Sequence, residues 1–256
     1  MYPTLFRIGD FEITSFGVLV AIGVLVALQV FSRELKRSGL PASGADAALT
    51  GVLGGLMGAK LLWSIEHLGE EPWLSLVLSR GGMSWFGGLL GGVGTAIIAM
   101  RVTGVPVLAT VAAATPALAI GHAIGRVGCF MVGDDYGRPT SLPWGVAFPE
   151  GLPPTVDPVH PTQLYEAAAL VVIAWLLMRW RRGQAPDAAV LGRYLVLVGA
   201  VRFAIEFIRV NERIAGPLTL AHLVSLGLVL AGCVMLLKPA ATATASVPST
   251  SRRRRS

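Results

Sequence analysis

Along the chain, long stretches free of charge alternate with short segments dense in Arg, Lys, Asp and Glu. The first apolar stretch, 13–31, holds no charged residue and matches the roughly 20 helical residues that cross a hydrocarbon core. Six more follow at 47–65, 83–100, 105–124, 162–178, 188–208 and 218–237. The fifth and sixth carry Glu166, Arg193, Arg202 and Glu206, so their assignment leans on charge bias as well as hydropathy. Arg33, Lys36 and Arg37 follow the first span, Arg101 the third, Arg179, Arg181 and Arg182 the fifth, and Lys238 with Arg252, Arg253, Arg254 and Arg255 the seventh. Every odd span therefore exits into a basic segment. Because basic loops stay in the cytoplasm, the pattern predicts an all-α integral membrane protein. Its architecture would be a seven-transmembrane-helix bundle with the N-terminus outside and the C-terminus cytoplasmic. The loops 67–82, 126–161 and 209–217 then face outward.

Composition agrees: 54% of the residues are hydrophobic and 14% charged, against roughly 25% charged in an average soluble domain. A soluble enzyme or a nucleic-acid-binding module is excluded on that ground. The net charge of +6 follows from the basic segments beside the spans and needs no nucleic-acid partner. Residues 1–239 read as one transmembrane domain. The stretch 240–256, rich in Ala, Thr and Ser and ending in arginines, reads as a disordered basic tail resting on anionic headgroups. Asp10 and Glu12 precede the first span, which lacks the basic start of a signal peptide, so that span is predicted to be retained. The cysteines, Cys129 and Cys233, have no metal-ligand spacing, and no metal or organic cofactor is expected.

Candidate chemistry comes from the polar and glycine positions. Gly51 and Gly55, Gly54 and Gly58, Gly87 and Gly91, and Gly88 and Gly92 are each four apart, a spacing that lets helix backbones approach closely. Gly87 and Gly88 carry a second reading, in which they bring backbone close to a lipid headgroup. A charge near the centre of a span costs about 2.5 to 3.5 kcal/mol on insertion scales, so it needs a partner or water. Arg202, Glu206 and Arg209 share one helix face. Arg202 either pairs with Glu206 or lines an outward polar cavity, where its planar donors suit the oxygens of a phosphate. Lys60 either snorkels outward or lines the same cavity. The glycine-rich segment 125–138 is predicted to leave the fourth helix as a loop, with Arg126 opened to a ligand by the glycines around it. His122 lies one turn earlier and is either a packing residue or a base. His160 precedes Pro161, which fits the first turn of a helix, and Gln163 and Glu166 follow in that turn. The outward loop, about 35 residues long and carrying Trp144, exceeds what a mere connection needs.

Together these segments resemble the bacterial prolipoprotein diacylglyceryl transferase family. Its members are integral membrane enzymes that move diacylglyceryl from phosphatidylglycerol to the lipobox cysteine of preprolipoproteins. The resemblance runs from about residue 5 to 237 and rests on four motifs in order. These are Gly81-Gly82-Met83-Ser84 with Gly87-Gly88; Gly125-Arg126 with Gly128, Phe130, Gly133 and Gly137; His160-Pro161-Thr162-Gln163-Leu164-Tyr165-Glu166; and Arg202 with Glu206-Phe207 and Arg209. The chain departs from the family at Phe86, where histidine is usual, and at Cys129, where asparagine is. Asp134 stands for glutamate, Phe16 and Val198 for tyrosines, and Lys60 for arginine.

The resemblance implies that a substrate thiol attacks a glycerol carbon of phosphatidylglycerol. Arg126 and Arg202 would then hold the departing phosphate, with Glu206 a further catalytic residue; with Phe86 unable to serve as base, the imidazole beside Arg126 points to His122 in that role and His160 as its substitute. Gly87, Gly88, Lys60, Cys129, Asp134, Gly137, His160, Gln163 and Tyr165 would surround the substrates. A lesser role for Cys129 is transient acceptance of a lipid group. The implied partners are phosphatidylglycerol, the signal-peptide lipobox region of preprolipoproteins and membrane lipid. The implied setting is the bacterial inner membrane, with the site facing the outer leaflet. The departures leave two alternatives: a silent relative that binds phospholipid or lipoprotein precursors, or a transferase of another lipid-derived group with Cys129 and Asp135 shaping a changed pocket.

Overall fold

The computed structural model describes residues 4–9, 11–79, 82–211, 214 and 216–237. Gly81 and the basic tail 240–256 lie outside them. The chain opens with a hairpin, β1 (Thr4–Ile8) against β2 (Phe11–Thr14), and passes directly into α1 (Ser15–Arg37), where the Thr14 hydroxyl accepts from Gly17 N–H. There follow α2 (Ser43–Glu66), the short α3 (Trp73–Leu78), α4 (Trp85–Val102) and α5 (Val107–Val132). A second hairpin, β3 (Val146–Phe148) and β4 (Thr155–Val159), precedes α6 (Thr162–Arg182), α7 (Asp187–Glu206) and α8 (Leu220–Leu237). Seven of these helices are long and apolar enough to cross a membrane, in agreement with the seven predicted spans. Exposed Leu25, Leu53, Leu90 and Ile98 give the bundle an outer wall suited to lipid rather than water.

The largest departure from expectation is the end of α5. The helix continues past 124 to Val132, so Gly125, Arg126, Gly128 and Cys129 are helical and not in a loop. Gly128 is there because α1 lies close: a β-carbon would come within 3.2 Å of the Phe16 ring. The helix stops at Gly133, whose φ of 72° supplies the left-handed C-cap and whose N–H bonds to the Cys129 carbonyl at 2.9 Å. Gly128 thus serves helix packing and Gly133 the cap.

Small residues pair the helices. In α2 and α4, a β-carbon at Gly58 or Gly91 would collide with the facing backbone, and one at Gly51 would lie 3.0 Å from Ala96 Cβ. Gly192 and Gly199 of α7 meet α8 in the same way, and Gly23 of α1 meets Gly121 of α5. The core proper lies among α5, α6 and α7, where Ala119, Leu170, Ile173, Leu177 and Val190 are buried. Between the α1–α5 and α2–α4 pairs is an apolar cavity of about 650 Å³, walled by residues such as Val20, Val24, Leu89, Val93 and Leu118 and reaching His122 and Gly125.

The basic rim is closed by ion pairs. Buried Glu34 meets Arg37 at 2.6 Å and Arg181 at 2.8 Å, while Arg181 also donates to Ser38 at 2.6 Å and approaches Asp187 at 3.4 Å. Nearby, Ala47, Met100 and Val105 pack α2 and α4 against the start of α5. At the other rim the loop after α5 folds over Phe148, which is fully buried between Phe130 and Tyr136. Arg138 N–H bonds to the Ile208 carbonyl at 2.7 Å, and this joins the loop to the end of α7.

Candidate active site

At that second rim, three helices converge on one carboxylate. Glu166, in the first turns of α6 and 3% exposed, places Oε2 3.0 Å from Arg126 Nε of α5 and 3.4 Å from Arg202 Nη1 of α7. Its Oε1 is 3.6 Å from His122 Nε2, one turn below Arg126. Glu206, the last residue of α7, holds Arg202 Nη2 at 3.2 Å and lies 3.8 Å from Arg209 Nε. Asp135, in the loop after α5, completes the cluster by accepting from Arg126 Nη1 at 2.8 Å and from Arg209 Nη2. Guanidinium groups from Arg126, Arg202 and Arg209 thus face carboxylates of Glu166, Glu206 and Asp135. Buried charge survives only when paired and hydrogen-bonded in this way.

A second layer fixes Glu206. Its Oε1 accepts from Thr219 Oγ1 at 2.8 Å and from Asn211 Nδ2 at 2.6 Å. Thr219 precedes α8 and exchanges bonds with fully buried His222: His222 Nδ1 accepts Thr219 N–H at 3.1 Å, and Thr219 Oγ1 accepts His222 N–H at 3.4 Å. This is a capping box with imidazole in the place usually held by Glu or Gln.

The predicted residues sort unevenly around this centre. Arg126 and Arg202 converge as expected, but Arg126 is not open to solvent; it is 6% exposed inside a helix. Arg202 pairs with Glu206 and still keeps a quarter of its side chain accessible. His122 is half-exposed and lines the apolar cavity. Cys129 is on the same helix, with its sulfur 3.5 Å from Arg126 Nη1.

Other residues predicted to touch substrate also make structural contacts. Gln163 is fully buried and donates its amide to the Asp134 carbonyl, clamping the loop. Gly137 is a close approach: a β-carbon there would be 2.7 Å from the Ile208 carbonyl oxygen and 2.8 Å from Thr162 Cγ2. Gly87 packs against Gly58, while Gly88 borders the cavity beside Ala59. Lys60 turns to the segment before α4, donating to Ser79 O at 2.8 Å and Ser79 Oγ at 2.7 Å with its ammonium 4.7 Å above Trp63. Tyr165 links the outward loop to α6, accepting from Trp144 Nε1 at 2.8 Å with His160 Nδ1 at 3.4 Å.

Burial pushes the Asp134 carboxyl up, and the neighbouring Cys129 thiol only partly offsets this. Burial acts the same way on Asp135, but Arg209 and Arg126 outweigh it and hold that carboxyl below its ordinary range. Donor atoms of Cys129, Asp134 and Asp135 lie within 4.8 Å of one another. A metal ion there would have to take Asp135 from two guanidinium groups.

Sequence reasoning missed the central place of Glu166, the pairing of Asp135 with Arg126 and Arg209, and the parts played by Thr219 and His222. For Glu166 the signal was present, since an acid inside an apolar span demands a cation. For Asp135 there was none: it sits at φ 60°, a conformation that Asp tolerates but does not advertise.

The family model described as "Prolipoprotein diacylglyceryl transferase" matches residues 3–238. Relatives named phosphatidylglycerol--prolipoprotein diacylglyceryl transferase include one from Geobacter sulfurreducens, 33% identical over 247 residues that cover 91% of this chain and 93% of the relative. Another, from Oleidesulfovibrio alaskensis, is 34% identical over 250 residues covering 91% of each. A third, from Methylococcus capsulatus, is 30% identical over 252 residues, 91% of this chain and 94% of the relative. The chain belongs to the prolipoprotein diacylglyceryl transferase family.

Proposed function

We propose that this family member transfers the diacylglyceryl group of phosphatidylglycerol to the lipobox cysteine thiol of preprolipoproteins. One observation carries the reading: Arg126 and Arg202, from separate helices, meet at Glu166 beside His122, which lines an apolar cavity of about 650 Å³. A phospholipid needs such a division, with cations for its phosphate and an apolar chamber for its acyl chains.

In the transfer, a C–S bond forms between the cysteine sulfur and a glycerol carbon while the C–O bond to phosphate breaks. Glycerol phosphate leaves with the bonding electrons, and the thiol proton passes to a base. A free thiol has a pKa near 8.5, so the base matters at neutral pH. His122 takes the proton, and Glu166, 3.6 Å away, stabilises the resulting imidazolium. Arg126 and Arg202 stabilise the charge that grows on the departing phosphate. Glu206 keeps Arg202 aimed, and His160 is the second candidate base. Cys129 and Asp134 border the arginines and shape the headgroup pocket.

The bundle is a multi-pass membrane protein, and its charge pattern supports the finer placement. Lys36, Arg37, Arg101, Arg179, Arg181 and Arg182 gather at one end, and the arginine cluster sits toward the other. Basic ends remain in the cytoplasm, which puts the N-terminus outside, the C-terminus inside and the site at the outer leaflet of the bacterial inner membrane. Residues 1–239 form the transferase domain and 240–256 a basic cytoplasmic tail.

Expression in cells depleted of their own transferase tests the reading. Restored growth with a mass gain on a model lipoprotein supports it. Correctly inserted protein with neither result removes it, and phosphatidylglycerol binding without turnover identifies a lipid-binding relative. A His122→Gln variant with parental activity rules out that base.

A further inference from the structure

The three acids of the cluster are not equally enclosed. Side chains of Glu166 and Glu206 are 4% and 0% exposed, whereas that of Asp135 is 43% exposed. Both of its cationic partners are nonetheless buried, Arg126 at 7% and Arg209 at 4%. Asp135 is therefore the one anion in the cluster with a path to water, and it is held by arginines that have none. Among the described residues, Arg126 Nη2 and Arg209 Nε and Nη1 are buried donors that meet no hydrogen-bond acceptor. They offer more donors than one carboxylate uses.

Charge sets the identity of a substitute. With Asp135 in place, the guanidinium groups of Arg126, Arg202 and Arg209 are balanced by Glu166, Glu206 and Asp135. Moving Asp135 into solvent leaves one positive charge uncompensated in an apolar surround. A phosphodiester carries one negative charge, and its two free oxygens can bridge two guanidinium groups as the carboxylate does.

We propose that Asp135 is an exchangeable counterion: its carboxylate occupies a phosphate subsite between Arg126 and Arg209, and the phosphate of the substrate lipid displaces it toward water. This deepens the transferase reading and rests on it. The carboxylate keeps two buried cations neutralised while the site awaits lipid. Its return competes with the released glycerol phosphate and so favours product departure. Arg209 thereby becomes a headgroup ligand beside Arg126.

The test uses the purified full chain in phosphatidylcholine nanodiscs and the Asp135→Asn variant, which keeps a residue tolerant of left-handed backbone. Loss of the competing carboxylate is expected to lower both KM for phosphatidylglycerol and the inhibition constant of glycerol phosphate by about tenfold, the worth of one charge-assisted contact. It should also enlarge the rise in melting temperature produced by glycerol phosphate, a readout that needs no turnover. A gain for phosphatidylglycerol alone places the exchange at the lipid headgroup, and a gain for glycerol phosphate alone places it at the product. Folded variant protein with both constants unchanged or raised overturns the proposal.

Should Asp135→Asn fail to fold, Asp135→Gly, which relaxes the backbone, is compared with and without phosphate. Folding restored by phosphate supports the exchange; failure at every phosphate concentration makes the carboxylate structural and overturns it. A parental protein without transfer activity, whose Asp135→Asn variant still gains anion-induced stability, would sink the transferase reading and leave the counterion standing. Active parental protein whose variant gains nothing does the reverse.

Discussion

The α2–α4 pair and the α5–α6–α7 group are built from opposite materials. In the first, helices meet through Gly51, Gly54, Gly58, Gly87 and Gly91, and their inner face is an apolar wall. In the second, Arg126, Glu166, Arg202 and Glu206 stand inside the bundle and neutralise one another. Close backbone packing needs no chemistry, and a charge cluster cannot pack that closely. The chain therefore assigns holding a shape to one half and holding a charge to the other, with the cavity between them touching both. If this division is right, substitutions in the two halves should fail in different ways.

The largest effect belongs to the charged half. Arg202→Gln should lower turnover by about 10²- to 10³-fold, the usual cost of removing one preorganised donor from developing charge. The loss should fall on kcat, measured on a synthetic lipopeptide, and exceed what the drop in melting temperature from leaving Glu166 and Glu206 short of a cation explains. A fall in stability that accounts for the whole loss would erase the distinction.

A Gly91→Val change in α4 should act the other way. The added side chain meets the backbone of α2 and should cost about 1–3 kcal/mol of stability, with KM for the remaining folded protein unchanged. Thermal melting and kinetics on the same sample separate the two.

The smallest effect is one of pH and sharpens the place of Asp135. Its folded carboxyl titrates below the ordinary range, so its contribution to stability is complete above the unfolded value near 3.9 and is lost as pH falls through the lower, folded value. Melting temperatures of the parental protein should therefore converge on those of Asp135→Asn only below about pH 4. Convergence near neutrality would contradict the ion pairs.

The same contrast explains what could be read in the chain beforehand. Spacing four apart announced the α2–α4 contact because a small-residue seam is a local property of each helix. Arg202 and Glu206, one turn apart, announced their pair for the same reason. Gly128 misled, because glycine next to a polar run looks like a loop signal, while between membrane helices it also marks a close approach. Lys60 had two readings in the chain, and its bond to Ser79, across the loop, was visible in neither. Asp135 meets Arg209 across most of the second half of the chain, and nothing local in either residue predicts the meeting.

At the basic rim Glu34, braced by Arg37 of its own helix, fastens α1 to Arg181 at the end of α6 opposite Glu166. The tie holds two helices that are neither consecutive nor joined by a short loop, so any parting of α1 from α6 at that rim must first break a buried ion pair.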